Sequence, residues 1–175
     1  MPTRENQTAP TENIIQRLVR EHRRWRSKDF PLISHLFDEA QSAEGQPPCL
    51  KPLRTAFHRL CAEMEGHMTR EEHVLFPAIL EAQTEPETAE KDFGSIRNPI
   101  GMIEQEHDWE AERLEKMRQI ARDYRLPEEA DQRLHLLFRE LEALEAAMHA
   151  HSRLESSILF ARALAEEKRA PTQAA

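Results

Sequence analysis

Two copies of one short pattern, His67-Met-Thr-Arg-Glu71 and His151-Ser-Arg-Leu-Glu155, both read His-x-x-x-Glu and stand on separate helical stretches. A spacing of four puts the imidazole and the carboxylate on one helix face, one turn apart. Both copies interrupt an apolar stripe. His22 and His107 interrupt the stripes of two further stretches, so four histidines and two glutamates aim at one core. An ionised glutamate among apolar groups is costly unless it is paired or bound to a metal. The facing stripes carry no Lys or Arg; Arg26, at a stripe edge, comes nearest. Cations are the simplest explanation for Glu71 and Glu155.

The donor set narrows the choice of cation. A structural zinc site commonly uses thiolates, and calcium and magnesium prefer oxygen shells. Two imidazoles per ion with shared carboxylates suit a pair of first-row transition ions, iron first and manganese second. His22, His67, Glu71, His107, His151 and Glu155 are therefore the candidate metal ligands, with Glu71 and Glu155 bridging. The expected cofactor is two carboxylate-bridged Fe ions with room for an oxo, hydroxo or water bridge, with Mn or Zn as substitutes. The ligand set is read more firmly than its division, which is taken as His22 with His107 on one ion and His67 with His151 on the other. Six ligands for two ions leave positions open for a small diatomic ligand, O₂ or NO, or for peroxide.

Four amphipathic stretches must position these groups. The first runs from Thr11, as N-cap, to about Ser42, with stripe Ile15, Leu18, His22, Trp25, Asp29, Leu32 and Leu36; Pro31 should bend it. The second covers about 50–84, with Leu53, Phe57, Leu60, Met64, His67, Glu71, Val74 and Ala78, and Pro77 implies a kink. The third opens at Asn98-Pro99 as N-cap and first residue and runs to about Tyr124, through Ile100, Ile103, His107, Ala111, Leu114, Met117 and Ala121. The fourth starts at Pro127 and runs to about Lys168, through Leu134, Leu137, Leu141, Leu144, Met148, His151, Glu155, Ile158, Ala161 and Ala165. Short connections between long amphipathic helices predict an all-α, antiparallel up-down-up-down four-helix bundle over residues 12–168. Residues 1–11 and 169–175 read as disordered N- and C-terminal tails. Glu71-Glu-His-Val-Leu-Phe and Glu155-Ser-Ser-Ile-Leu-Phe are alike, which suggests a pseudo-repeat of two helix pairs.

Composition excludes several classes. The net charge is 24 − 32 = −8 with no basic patch, which argues against nucleic acid or an anionic membrane as partner. No apolar run approaches the ~18 residues of a membrane span, and Met1 to Pro10 lacks the apolar core of a signal peptide. Cys49 and Cys61 form neither a CxxC pair nor a disulfide framework, so a cytoplasmic, reducing location is expected.

The stretches Glu21-His22-Arg23-Arg24, His67 to Pro77, Glu104-Gln-Glu-His-Asp108 and His151 to Phe160 resemble the hemerythrin-like HHE cation-binding family, over about residues 12–166. Within it the chain is similar to the di-iron iron-centre repair (RIC-type) proteins. Carried over residue by residue, the family's ligands fall on His22, His67, Glu71, His107, His151 and Glu155, the set the stripes supply independently. The resemblance implies a non-haem di-iron centre used in the response to nitrosative or oxidative stress. The work would be iron donation to an acceptor protein, or NO, O₂ or peroxide chemistry as a di-iron oxidoreductase. The alternative is a reversible O₂ or redox sensing module without catalysis. Oxygen-carrying hemerythrins place His-x-x-x-His on one helix; here Ala111 stands four residues after His107, so a fifth histidine is lacking.

Other polar residues read more plainly. His149 and His73 lie two residues from a ligand, on the wrong face, and His35, His58 and His135 read as surface or boundary residues. Asp108 is either an acceptor for His107 or solvated, and Tyr124 either a redox relay or a core tyrosine. Cys61 reads as a buried, inert thiol, and Glu110 to Arg118 as a solvated helix face.

Overall fold

Strong helix formers fill the four amphipathic stretches, and in the computed structural model each folds as helix. The structure describes residues 8–41, 46–84, 95–127 and 130–169. The first helical run is α1 (Thr11–Arg24), a π turn (Trp25–Asp29) and α2 (Phe30–Gln41). The second is α3 (Leu50–Arg70), a π turn (Glu71–Leu75) and α4 (Phe76–Thr84). The third is α5 (Arg97–Ile120), and the fourth is α6 (Gln132–Leu154), a π turn (Glu155–Phe160) and α7 (Ala161–Glu167). No strand occurs among the described residues. Most of the two expected tails, Ser42 and most of the Thr84–Ser95 connection lie outside them.

Two units divide these runs. The first takes in the chain to Arg20, His67–His107 and the chain from Ala150. Its core joins Ile14, Ile15 and Leu18 from the start of run one to Leu75, Phe76 and Ile79 near the end of run two. Ile96, Ile100 and Ile103 from the start of run three, and Ile158, Leu159, Phe160 and Ala163 near the end of run four, complete it. Starts meeting ends in this alternation require each run to be antiparallel to the next. The fold is thus an all-α, up-down-up-down four-helix bundle. Gln83 ties this unit's helix ends together, its amide reaching Thr11 Oγ1 at 2.9 Å and Glu166 Oε2 at 2.6 Å.

The second unit comprises Glu21–Gly66 and Asp108–His149. Phe57 is fully buried there, with Phe37 at 5.6 Å between ring centroids and Phe30 at 6.3 Å edge-on. Tyr124 donates to Glu145 Oε2 at 2.7 Å, Arg118 Nε donates to the other oxygen at 2.8 Å, and the Arg118 guanidinium lies over the Tyr124 ring. Both lone-pair sets of this buried carboxylate are therefore used. Tyr124 has the packing and the bond of a core tyrosine.

The three π turns explain most departures from the expected stripes. Phe30 N–H reaches back five residues to the Trp25 carbonyl, and Phe76 N–H does the same to Glu71. Pro31 and Pro77 follow directly. A proline has no N–H and crowds the carbonyl four residues back, and a widened turn before it relieves the crowding. The turn at Glu155–Phe160 contains no proline, so proline is not the only route to one. Each extra residue rotates the following helix by roughly 100°. Leu32, expected in the core, is therefore 36% exposed and Ile33 is buried; Val74 is 42% exposed and Leu75 is buried. After Glu155 the expected Ala161 and Ala165 face outward, and Leu159, Phe160 and Ala163 face inward.

Other expectations shift at the ends. Thr11 is already helical, the Pro10 carbonyl taking the N–H groups of Asn13 and Ile14. α5 begins at Arg97, whose N–H bonds Ser95 Oγ, so Asn98 is not its cap. It stops at Ile120, because Arg122, Asp123 and Tyr124 all adopt left-handed φ of 53–56°. α6 starts at Gln132 rather than Pro127, with Asp131 Oδ1 accepting the Arg133 N–H at 2.8 Å as N-cap. On α5, Ala111 is exposed, while Glu110, expected in solvent, is buried at 7% exposure. The helix meets its core at His107 and then three residues on, not four.

A left-handed φ costs a residue with a Cβ about 1–2 kcal/mol. Arg122 is exposed, so Arg122→Gly should remove strain at little loss of packing. Net stabilisation of up to about 1 kcal/mol is expected in urea unfolding followed by circular dichroism, after the entropic cost of glycine.

Candidate metal centre

Each ligand-bearing helix delivers its His one turn before its Glu, and each Glu is the first residue of a π turn. Glu71 opens the turn Glu71–Leu75 and Glu155 the turn Glu155–Phe160. The helices are regular up to the carboxylate and change phase immediately after it.

Four donors converge within the first unit. His67, Glu71, His107 and Glu155 each place one ligand atom within 4.8 Å of all the others. His67 Nε2 lies 3.2 Å from Glu71 Oε1, and His107 Nε2 lies 3.0 Å from Glu155 Oε2 and 3.9 Å from Glu71 Oε1. His151 Nε2 stands 3.4 Å from Glu155 Oε1. Both glutamates have no exposed side-chain surface, and the exposed fraction is 4% for His67, 9% for His107 and 1% for His151. The rings of His67 and His107 are 5.1 Å apart, and Phe160 stacks on His107 at 6.0 Å, nearly parallel.

The contacts are close but are not ordinary hydrogen bonds. His67 Nε2, both ring nitrogens of His107 and both oxygens of Glu155 are buried without hydrogen-bond geometry to any described group. A bare imidazole nitrogen 3.2 Å from a carboxylate oxygen is tolerable only with positive charge shared between them, carried by a proton or a cation. Burial alone would lower the pKa of His67. Its hydrogen bond to Glu106 and close contact to Glu71, with the charges of Glu71 and Glu155, outweigh that and raise it to about 10. Burial works against ionisation of Glu155, yet the charge of His151 and the contacts to His107 and His151 hold its carboxyl below the usual range. The donors thus compete for positive charge in a dry space. Two imidazoles and two carboxylates in one group fit a first-row transition ion.

Of the six residues expected from sequence, five, His67, Glu71, His107, His151 and Glu155, lie in the first unit. His22 belongs to the second: it is fully buried on α1, one turn beyond Leu18, with its ring 6.0 Å from Trp25. The expected pairing needs correction. His67 shares its donor group with His107, not the arrangement of His22 with His107 and His67 with His151. Both bear on that group because α3 and α5 present their histidines at the same level, which stripes read helix by helix do not reveal.

The remaining polar residues fall into plain roles. His35, His58, His73 and His135 are exposed, and His149 lies 3.8 Å from Glu145. Asp108 is exposed, and Arg26 pairs with Glu65 at 3.0 Å. Burial pushes the Cys61 thiol up to about 12, so it stays protonated. One residue escaped sequence reasoning. Glu106 Oε2 lies 2.9 Å from His67 Nδ1, and its other oxygen lies 2.7 Å from Arg70 Nε. The signal for it was slight: it is the residue before His107, as Arg70 is the residue before Glu71.

With this geometry established, comparison with known proteins is decisive. The hemerythrin HHE cation binding domain model matches residues 13–163. This chain belongs to that family. The HHE match takes in all six expected ligands and all four helical runs. Iron-sulfur cluster repair protein YtfE of Cronobacter sakazakii (strain ATCC BAA-894) is 32% identical over 164 residues, 93% of this chain and 70% of the relative. The proteins of that name from Yersinia pseudotuberculosis serotype IB (strain PB1/+) and Yersinia pestis (strain Pestoides F) are 26% and 25% identical over 163 residues. In both, the match covers 92% of this HHE chain and 69% of the relative. No helix among the described residues is long and apolar enough to cross a membrane.

An ion that binds the folded chain alone stabilises it by mass action, about 2.7 kcal/mol at a hundredfold excess over Kd. Chelator-treated protein should therefore melt several degrees below protein reloaded with Fe(II) under anaerobic conditions. Equal melting temperatures in differential scanning calorimetry would refute a native cation site.

Proposed function

We propose that this HHE protein holds two iron ions and serves in the response to nitrosative or oxidative stress. One ion would be held by His67 and His107 with Glu71 and Glu155. The other would take His22 and His151 and share the carboxylates. The observation that supports this most is the placement of Glu155. Its Oε2 lies 3.0 Å from His107 and its Oε1 lies 3.4 Å from His151, so one carboxylate serves two histidines through different oxygens. That is the placement a bridging ligand needs.

Iron bound here would supply one-electron redox chemistry and open positions for O₂, NO or peroxide. The chain's residues do the rest. Glu71 and Glu155 offset cationic charge in a buried space, and the histidines keep the ligand set less anionic than an all-carboxylate one. Phe160, stacked on His107, excludes water from one side. The relatives are named as iron-sulfur cluster repair proteins. This favours transfer of iron to an acceptor protein with a damaged cluster as the task, with iron as cargo. Reactivity towards NO or peroxide accompanies that reading.

Untagged protein purified without added metal should contain about two irons per chain by elemental analysis, the ratio a shared-carboxylate pair requires. Its reduced form should change its optical spectrum when NO is added. Glu155→Ala should lose at least one of the two ions. A variant that kept a full di-iron spectrum would remove Glu155 from the ligand set, and a wild type that took up no iron on anaerobic reconstitution would end the proposal.

A further inference from the structure

The structure assigns Glu106, braced by Arg70, as the residue that positions His67 for metal binding. This inference rests on the reading above, in which His67 is a ligand. Glu106 Oε2 lies 2.9 Å from His67 Nδ1, and Glu106 Oε1 lies 2.7 Å from Arg70 Nε. The Glu106 side chain is only 14% exposed and that of His67 4%, so water competes weakly for this contact.

The chemistry follows from proton accounting. With one oxygen of Glu106 set against the Arg70 guanidinium at 2.7 Å, the other accepts from His67, so Nδ1 carries the proton and donates it. In the neutral ring that leaves the lone pair on Nε2, the nitrogen 3.2 Å from Glu71 Oε1 in the donor group. Glu106 thus selects the tautomer that can ligate, fixes the ring's rotation and makes Nε2 more basic.

Arg70 is needed because a carboxylate held from one side only would be free to swing. It lies three residues after His67 on α3, on the adjoining face, and holds Glu106 across from α5. His107 has no equivalent, since neither of its ring nitrogens has a hydrogen-bond partner among the described groups. The two histidines of this group are therefore not equivalent, and the support falls on the His67 side.

The test compares wild type, Glu106→Ala, Glu106→Gln and His67→Ala by chelator competition for Fe(II) and by thermal unfolding of the metal-free proteins. Loss of an outer carboxylate of this kind costs about ten- to a hundredfold in metal affinity. Glu106→Ala should weaken one ion by that factor and leave the other bound. Glu106→Gln, of the same shape and able to accept a hydrogen bond without charge, should fall between Ala and wild type. Metal-free melting temperatures should stay near wild type in both. If Glu106→Ala binds iron as wild type does while His67→Ala loses an ion, the positioning role is wrong and the ligand assignment stands. If Glu106→Ala lowers metal-free stability as much as iron affinity, Glu106 is structural and the inference fails. If His67→Ala also leaves binding unchanged, the ligand assignment itself has failed.

Discussion

Two carboxylates with no exposed surface sit among apolar side chains, and the rest of this structure is arranged around that fact. Moving a charge into such a place is expensive without a compensating charge. Arginine could supply it, but Arg26 is engaged by Glu65, and Arg70 is turned to Glu106. What surrounds Glu71 and Glu155 instead is imidazole, which accepts either a proton or a metal ion. Nε2 of His67 and of His107 approach the carboxylates without hydrogen-bond geometry. A core laid out this way suits a cation. The first unit must therefore be held by its own apolar contacts, the Ile, Leu and Phe cluster.

Residue types and spacing disclosed much of this. His-x-x-x-Glu on a regular helix can only place its two groups on one face, so the pairs His67/Glu71 and His151/Glu155 were legible, as were the isolated histidines within apolar stripes. Run order and antiparallel direction followed from the lengths of the helices and of the connections between them. The family match then added what spacing cannot supply, namely that the chain is similar over most of its length to proteins named for the repair of iron-sulfur clusters.

What stayed hidden has physical causes. A stripe read at 3.6 residues per turn assumes an unbroken helix, and three π turns break it. Leu32, Val74, Ala161 and Ala165 were misplaced for that reason, Val74 within a wide turn and the others downstream of one. Pro31 and Pro77 signalled irregularity but not its form, and Glu155–Phe160 carries no such signal. The early end of α5 depends on three left-handed residues without a glycine among them. Glu106 was hidden because its value comes from a partner on another helix. A glutamate in a charge-rich segment looks solvated until the facing histidine is known.

The position of the wide turns has a consequence for descent as well as for shape. A π turn is one residue more than an α-helix needs over the same path, so it behaves as an insertion frozen into a helix. In Glu71–Leu75 and Glu155–Phe160 the insertion falls immediately after the carboxylate. The reading frame of the helix is therefore held constant from His to Glu and abandoned just beyond. Relatives with a regular helix here would align to this chain only with a one-residue gap after the glutamate. A gapless comparison would match the ligands correctly and then pair core residues with surface ones for the rest of the helix.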